Sequence, residues 1–427
     1  MTEITEKARI GAPAIDGFTE EGENLSPVNA AAGPLAGASA KSHSHGGGVG
    51  IPDSSRAGRL TSYRADDFGP LTGREEDWRF TPLKRLRGLQ SDALVGTAPA
   101  VTVSGPEGTD LPAGVVVETV GRDDARIGVA GIPEDRVSAA AWEAFKEATV
   151  VTIPAEAQLE TGVAVVIEGT STELSAQHVI IVAEKFSKAV VVLDHKGSAT
   201  VSQNVEIDVQ DGAELTVVSV QEWADDAVHA SSQQTRVGRD AKFKHVTVSL
   251  GGDLVRLTPS TRFTGTGGDV EMFGLYFADA GQHLEHRLFV DHAVANCKSR
   301  VLYKGALQGK NAHTVWVGDV LIRKEAEGTD SYEANRNLVL TDGARADSVP
   351  NLEIETGLIE GAGHASTTGR FDDEHLFYLM ARGIPEDVAR RLVVRGFLHE
   401  IIQQIRVPAL EERLNASLER ELEAGNL

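Results

Sequence analysis

One cysteine, Cys297, in 427 residues is the first constraint. A lone thiol forms no intrachain disulfide, which fits a reducing compartment. A protein-bound iron–sulfur cluster takes about four thiolates and a structural zinc about two to four. This chain cannot complete either site alone. Basic residues are in deficit, 41 Lys and Arg against 63 Asp and Glu, for a net charge of −22. Such a surface repels phosphate backbones and anionic lipid, so nucleic-acid and membrane-surface proteins are excluded as classes. No apolar run approaches the roughly 18 residues that cross a bilayer. The opening MTEITEKARIGAPAID lacks the basic start and apolar run of a secretory signal. A cytoplasmic protein is expected.

Several chemical motifs are also missing. No G-x-x-x-x-G-K-[ST] occurs, so the chain has no phosphate-cradling loop for ATP. The glycines at Gly265, Gly267 and Gly268 precede no helix pattern and are no dinucleotide fingerprint. Neither H-E-x-x-H nor G-x-S-x-G is present.

What is present is glycine, 44 residues, with few aromatics, 5%. That combination favours many short strands joined by tight turns. Residues 1–60 contain NAAAGPLAGASAKSHSHGGGVG, too small and polar to offset the entropy of ordering, and are expected to be a disordered tail. His43 and His45 within it lack a third metal ligand and read as solvated linker residues. Residues 61–150 read as a helical and mixed region. GREEDWRFTPLKRL has acids first and bases last, as a helix dipole favours, with Trp78, Phe80 and Leu83 as a small apolar plug. The strands VTVSG and GVVVETV then precede a helix over SAAAWEAFKEATV with Trp142, Phe145 and Ala148 on one face.

Residues 151–370 carry recurrent β-branched runs, among them VAVVIEG, HVIIVAE, AVVVLDH, LTVVSV and HTVWVGDVLI. Turn signals recur at a spacing of about 28 residues, through Gly212, Asp240 and Gly267 and again through Gly281 and Gly309. That period, without intervening helices, points to a β-solenoid or stacked β-sandwich. His286 and His292 share a strand face while His283 points away, a pattern read as a polar strand face rather than a metal site. Glu353 and Glu355 alternate on one strand, so paired-carboxylate glycoside chemistry is an alternative. Residues 371–427 read as a helical domain. One helix has Asp372 near its N-cap and Gly383 past its end; the next has Pro385 near its first position; a last one starts at Pro408. Val388, Leu392, Val393, Phe397, Ile401 and Ile405 mark the apolar face of the middle helix. These helices need a core or a partner to pack on.

Four segments, EEDWRFTPL, PNLEIET, GHASTTGRFDDEHLFYLMARGIP and VVRGF, together resemble the SufB/SufD family of the SUF iron–sulfur cluster assembly system. The likeness covers the N-terminal region, the β-rich middle by pattern and the last 80 or so residues strongly, but not the first 60. Within the family the SufD branch fits better. SufB-like chains open a C-D-S-L-L-I-G-like segment with a catalytic cysteine, where this chain has Asn335. They carry H-E-A-S-T, and this chain has His364 in place of that glutamate. Many SufD-like chains place a cysteine shortly before this histidine; here Ala362 stands there.

The resemblance implies a mainly β fold, a right-handed parallel β-helix with an N-terminal helical or mixed segment and a C-terminal helical domain. It implies a non-catalytic scaffold, pairing with SufB along the β-helix to build a transient cluster, driven by the ATPase SufC. It implies that His364, accessible in a loop at a chain crossing, offers an imidazole to iron. It implies SufC docking on the C-terminal helices, through Phe377, Tyr378, Arg382, Arg395 and Phe397, with Arg390 and Arg391 adding to a cationic patch. Deleting residues 385–427 is then expected to abolish SufC binding and leave the β-core folded. A reduced flavin is associated with such complexes, though no flavin fingerprint is present. A SufB-like paralogue, a β-helical carbohydrate-active enzyme and a plain structural solenoid are the alternatives. Cys297, on NCKSRVLY, is expected to be a core residue.

Overall fold

In a computed structural model, residues 56–370 and 373–424 are described. The tail through residue 55, with His43 and His45, and Asp372 lie outside the described residues. The β-branched runs become strands: β1 Ala100–Ser104, β2 Val116–Gly121, then after helix α1 (Arg136–Ala144) β3 Glu147–Ile153, β4 Val163–Ala183 and β5 Lys188–Val209. The series continues with β6 Glu214–Trp223, β7 Val228–Val237, β8 Lys242–Ser249, β9 Leu254–Phe263 and β10 Asp269–Ala278. It ends with β11 His283–His292, β12 Lys298–Leu307, β13 His313–Ile322, β14 Asp330–Val339, β15 Arg345–Ile354 and β16 Gly361–Arg370. Three helices follow: α2 Asp373–Met380, α3 Glu386–Ile402 and α4 Pro408–Ala424.

The strand order β15-β13-β11-β9-β7-β5-β6-β8-β10-β12-β14-β16 defines a parallel β-solenoid. Odd-numbered strands build one wall and even-numbered strands the other. β5 joins the walls, pairing with β6 through its first half and β7 through its second. Glu214 lies beside Lys242, then Asp269, Lys298, Asp330 and Gly361 in successive turns, so one turn takes 27–32 residues. The spacing read from the turn signals is therefore the solenoid turn. The corner residues stack: Gly212 N–H donates to Arg239 O at 2.8 Å, and Asp240 N–H to Thr266 O at 3.0 Å. Gly212, Asp240 and Gly267 all have positive φ, which explains the glycine and aspartate there.

Strand alternation divides the side chains into two sets. Inward residues such as Val217, Phe243, Met272, Tyr276, Leu288 and Trp316 form the main core. Polar side chains also point inward and pair among themselves. His195 Nε2 meets Gln203 Oε1 at 3.2 Å, and His229 Nδ1 meets Gln221 Oε1 at 2.9 Å. Outward residues of the even wall, Val218, Val248, Leu275 and Phe277, are sealed by Leu398, Ile401, Leu414 and Leu418 of α3 and α4. Outward residues of the odd wall are covered by residues 56–95, a strap with short 3₁₀ turns at Arg56–Gly58, Ala65–Phe68 and Leu83–Leu86.

Several sequence expectations change here. Residues 56–60, placed in the tail, are ordered, because Arg56 and Arg59 pair with buried Asp319. GREEDWRFTPLKRL forms turns rather than an α-helix. Glu75 accepts the Thr72 and Gly73 N–H groups, closing a turn in its first half, and Pro82 blocks helix continuation. The plug is real in Trp78 and Leu83, whereas Phe80 lies under Arg79 at 4.6 Å, outside that core. The helix over SAAAWEAFKEATV stops at Ala144, since Glu147–Thr152 pair with β2 and Thr149–Ile153 with β4. Trp142, Phe145 and Ala148 still share one cluster, across the helix–strand junction. Pro385 is the N-cap of α3 rather than its first residue. The buried face of α3 is Ala389, Val394, Leu398, Ile401 and Ile402, one residue out of phase with the expected stripe over most of its length, and Leu392 is exposed.

Candidate functional site

Among the described residues, the last turn of the solenoid has no turn stacked beyond it. β15 and β16 terminate the strand order, and each has a sheet edge without a strand partner among the described residues. His364 lies on β16, so it is a strand residue and not the loop residue expected. Its side chain is 42% exposed, because no further turn covers it.

Its neighbour across the ladder is Glu333 of β14, the direct register partner. Glu333 Oε1 is 3.8 Å from His364 Nδ1, and the Glu333 side chain is fully buried. Neither carboxyl oxygen has a hydrogen-bond partner. Burial raises its pKa to about 8, and the charge of Asp319 adds to the shift. The space Glu333 occupies is left by Gly318 of β13: a Cβ there would lie 2.4 Å from Glu333 Oε2 and 2.5 Å from the Trp316 ring. The sequence reading missed Glu333. The signal was the alternation in SYEANRN, which puts Glu333 on the same inward face as Ser331 and Asn335.

Asp319 turns to the opposite side of its strand, under the strap. It pairs with Arg56 and, at 3.4 Å, with Arg59, and accepts from Asn351 Nδ2 at 2.6 Å. Arg59 also stacks on Phe289 at 4.4 Å. The strap thus ends directly outside the wall that bears Gly318 and Trp316.

Asn335, two residues beyond Glu333, is a buried hydrogen-bond hub. Its Nδ2 donates to Tyr276 Oη at 2.8 Å, and its Oδ1 accepts from Asn337 and Ser348, both at 2.7 Å. An amide so engaged carries no nucleophile. Cys297 is buried, with its Sγ donating to Ala295 O at 3.5 Å, and burial pushes its thiol pKa up. It is a core residue.

The strand histidines His283, His286 and His292 are held by contacts within the protein. His286 Nε2 bonds Ser249 Oγ at 3.0 Å and the ring stacks on Tyr276; His292 Nε2 bonds Ser299 Oγ at 2.9 Å. Their polar face is the inside of the solenoid rather than a solvated one. His283 points outward, between His313 at 3.1 Å and Glu285 at 3.1 Å. Among the described residues no group of three or more His, Cys, Asp or Glu side chains is placed to hold a metal. Glu353 and Glu355 are each engaged with main chain, Glu353 accepting from Arg56 N–H at 2.9 Å and Glu355 from Lys324 N–H at 3.1 Å.

The second candidate surface is α2. Phe377 is 73% and Tyr378 56% exposed, with Met380 and Leu392 also open. Arg382 lies over the Tyr378 ring at 4.5 Å. Arg395 is half-exposed and 4.0 Å from Glu419. Arg390 and Arg391 pair along their own helix with Glu386 and Asp387. Phe397 is different: it packs half-buried against the even wall, beneath Lys304, whose Nζ bonds its carbonyl. Among the described residues no helix is long and apolar enough to cross a membrane.

The family model for the SUF-system FeS cluster assembly SufBD core domain matches residues 165–397. An iron–sulfur cluster assembly SufBD family protein of Mycobacterium bovis is similar to the chain, 56% identical over 372 residues, 85% of this chain and 92% of that protein. One from Mycobacterium leprae is 55% identical over 374 residues, 86% of this chain and 94% of its own length. A second Mycobacterium leprae protein of the same description is 28% identical over 232 residues, 54% of this chain and 26% of that longer protein.

Proposed function

The chain belongs to the SufBD family of iron–sulfur cluster assembly proteins, and on that premise we propose that it is a SufD-type scaffold subunit that presents His364 to a nascent cluster shared with a SufB-type partner. The observation that carries the reading is a half-exposed imidazole on the terminal strand of the solenoid, beside sheet edges without a strand partner among the described residues. Edges of this kind accept another chain, and a neutral imidazole suits iron. The thiolates come from the partner, since the single cysteine is buried and the position of the SufB thiol is Asn335. That one mycobacterium has both a 55% and a 28% identical member supports two unlike subunits acting together. The cluster is cargo, held only in the assembled complex. ATP hydrolysis belongs to SufC in trans, docked on the exposed face of α2 through Phe377, Tyr378 and Arg382. Catalysis by this chain is not part of the reading.

His364→Ala in a complex with SufB and SufC tests it. Assembly and ATP hydrolysis should be unchanged, whereas iron and visible absorbance after anaerobic reconstitution should collapse, with partial recovery for His364→Cys. A normal cluster yield from the alanine variant would refute the reading.

A further inference from the structure

Glu333 is a buried group near the open end whose surroundings do not account for it, and Trp316 Nε1 on the neighbouring strand is likewise without a partner. Buried polar atoms are almost always hydrogen-bonded, and an exception calls for a missing partner. Here both oxygens of one carboxyl are orphaned, in a space kept open by Gly318 and walled by Trp316. An apolar residue would fill that space at lower cost. The parallel register of β14 and β16 aims the carboxyl at His364. Their 3.8 Å separation is too long for a hydrogen bond. It is within the span of two metal–ligand bonds of about 2.1 Å each.

We propose that Glu333 and His364 form a two-ligand half-site for ferrous iron, with Glu333 as the buried ligand and His364 as the ligand at the solvent-exposed end. A carboxylate oxygen with an imidazole nitrogen is a ligand set for a divalent first-row ion rather than for a sulfur-rich cluster. The subunit therefore presents iron, and the other positions on the metal remain open toward the end of the solenoid for the partner. Asp319 is excluded from the site, because Arg56, Arg59 and Asn351 engage it on the outer side of β13. This half-site rests on the reading that His364 meets iron, and adds a residue that reading does not require.

The test uses the full-length chain under anaerobic conditions, titrated with Co²⁺ as a spectroscopic stand-in for Fe²⁺. The readout is the visible d–d absorption of the parent minus that of each variant, so any binding elsewhere cancels. Glu333→Gln and His364→Gln should each lose the same band. Glu333→Met, which fills the space with an apolar chain of similar length, should lose it too while melting no lower than the parent, which separates ligation from folding. Loss in only one of the two positions, or in neither, overturns the half-site. Cluster yield of the His364→Gln complex with SufB and SufC is measured alongside. A collapse there with Glu333 variants unaffected in both assays leaves the scaffold reading intact and removes the half-site. A normal yield there removes the scaffold reading itself.

Discussion

The odd wall turns Arg256, Glu285, Arg287 and Asp319 outward, whereas the even wall turns out Val218, Val248, Leu275 and Phe277. Each wall is covered, but by different chemistry. On the even wall the apolar faces of α3 and α4 close over an apolar sheet, and a few polar contacts set the rim. Arg413 grips Asp194 at 2.7 and 2.8 Å, and Lys304 reaches Glu400 at 2.5 Å. On the odd wall the strap holds on through charge. Arg256 lies 3.8 Å over the Trp78 ring and contacts Asp135 and Glu285 at 3.3 and 3.4 Å. Thr81 Oγ1 donates to Glu285 at 2.7 Å, and Arg287 meets Asp77 at 3.0 Å. Burying apolar area stabilises without regard to direction. Buried ion pairs roughly offset their own desolvation and instead fix one geometry. The helices therefore supply stability, and the strap supplies registration next to the site.

The largest expected effect follows for the even wall. Removing residues 386–424 uncovers the outward face from Val218 to Phe277, an apolar patch far larger than soluble monomers expose. The truncated chain should aggregate and lose its cooperative melt. This reverses the expectation that the β-core survives deletion of 385–427, which took the helices for an appendage. A cooperative melt of the truncated chain at the parental temperature would show that the helices contribute no stability.

Arg256→Met is the matching change on the odd wall. It leaves the fully buried Glu285 with one guanidinium fewer, and removing one member of a buried charged set costs on the order of 3 kcal/mol. The loss should be local: proteases should cut within residues 56–95 before the core melts. Unchanged proteolysis of that segment would mean that Trp78, Leu86 and Leu89 hold the strap without the charges.

How far the sequence foretold this arrangement depends on the range of the forces involved. The strands of β6–β14 and their turn period were readable, because alternation and corner glycines are local. The end of α1 was not: the pairing of β3 with β2 and β4 overrode helical propensity in EATV. The strap was hidden because its contacts lie far away in sequence, as between Arg56 and Asp319. His364 was found through its neighbours in the motif. Glu333, 31 residues earlier, becomes its partner only when the solenoid brings β14 and β16 together.

Acid should separate the solenoid interior from the strap. Burial pushes the pKa of His286 down to about 3, of His292 to about 3 and of His245 to about 4. The unfolded chain binds these protons near pH 6.5, so the stability they confer is present above that pH and lost as pH falls toward 3–4. By pH 5.5 each costs about 1.4 kcal/mol. Burial would raise Glu285, but His283, Arg256 and Arg287 overcome it and hold it at about 2. Its contribution is full above about 4.5 and is lost as pH falls through 2. Urea unfolding should therefore weaken first from the interior, and the strap should loosen only in stronger acid. His286→Gln should flatten the fall between pH 7.5 and 5.5 by about 1.4 kcal/mol. An identical slope in that variant would place the protons elsewhere.

The smallest effect on stability belongs to the exposed face of α2: Leu376 is buried, but Phe377 and Tyr378 cover nothing. Phe377 stands 73% exposed one helix away from Leu398, which is fully buried. Truncating Leu398 to alanine should cost about 2–5 kcal/mol, as for other buried leucines. Truncating Phe377 should shift the free energy of unfolding by no more than about 0.5 kcal/mol, the range for surface positions. Two residues of similar hydrophobicity thus differ because one has a wall beneath it. If the exposed face of α2 is where SufC docks, Phe377→Ala and Tyr378→Ala should weaken SufC capture strongly at unchanged melting temperature. Arg382→Ala should have a lesser effect, since it mainly steadies the Tyr378 ring. Phe397→Ala should show the opposite pattern, lowering the melting temperature through lost packing while the affinity of the folded protein for SufC stays near that of the parent. Calorimetric melts and immobilised SufC binding on the same four variants decide the matter. Parental SufC affinity in Phe377→Ala and Tyr378→Ala would exclude α2 as the docking face.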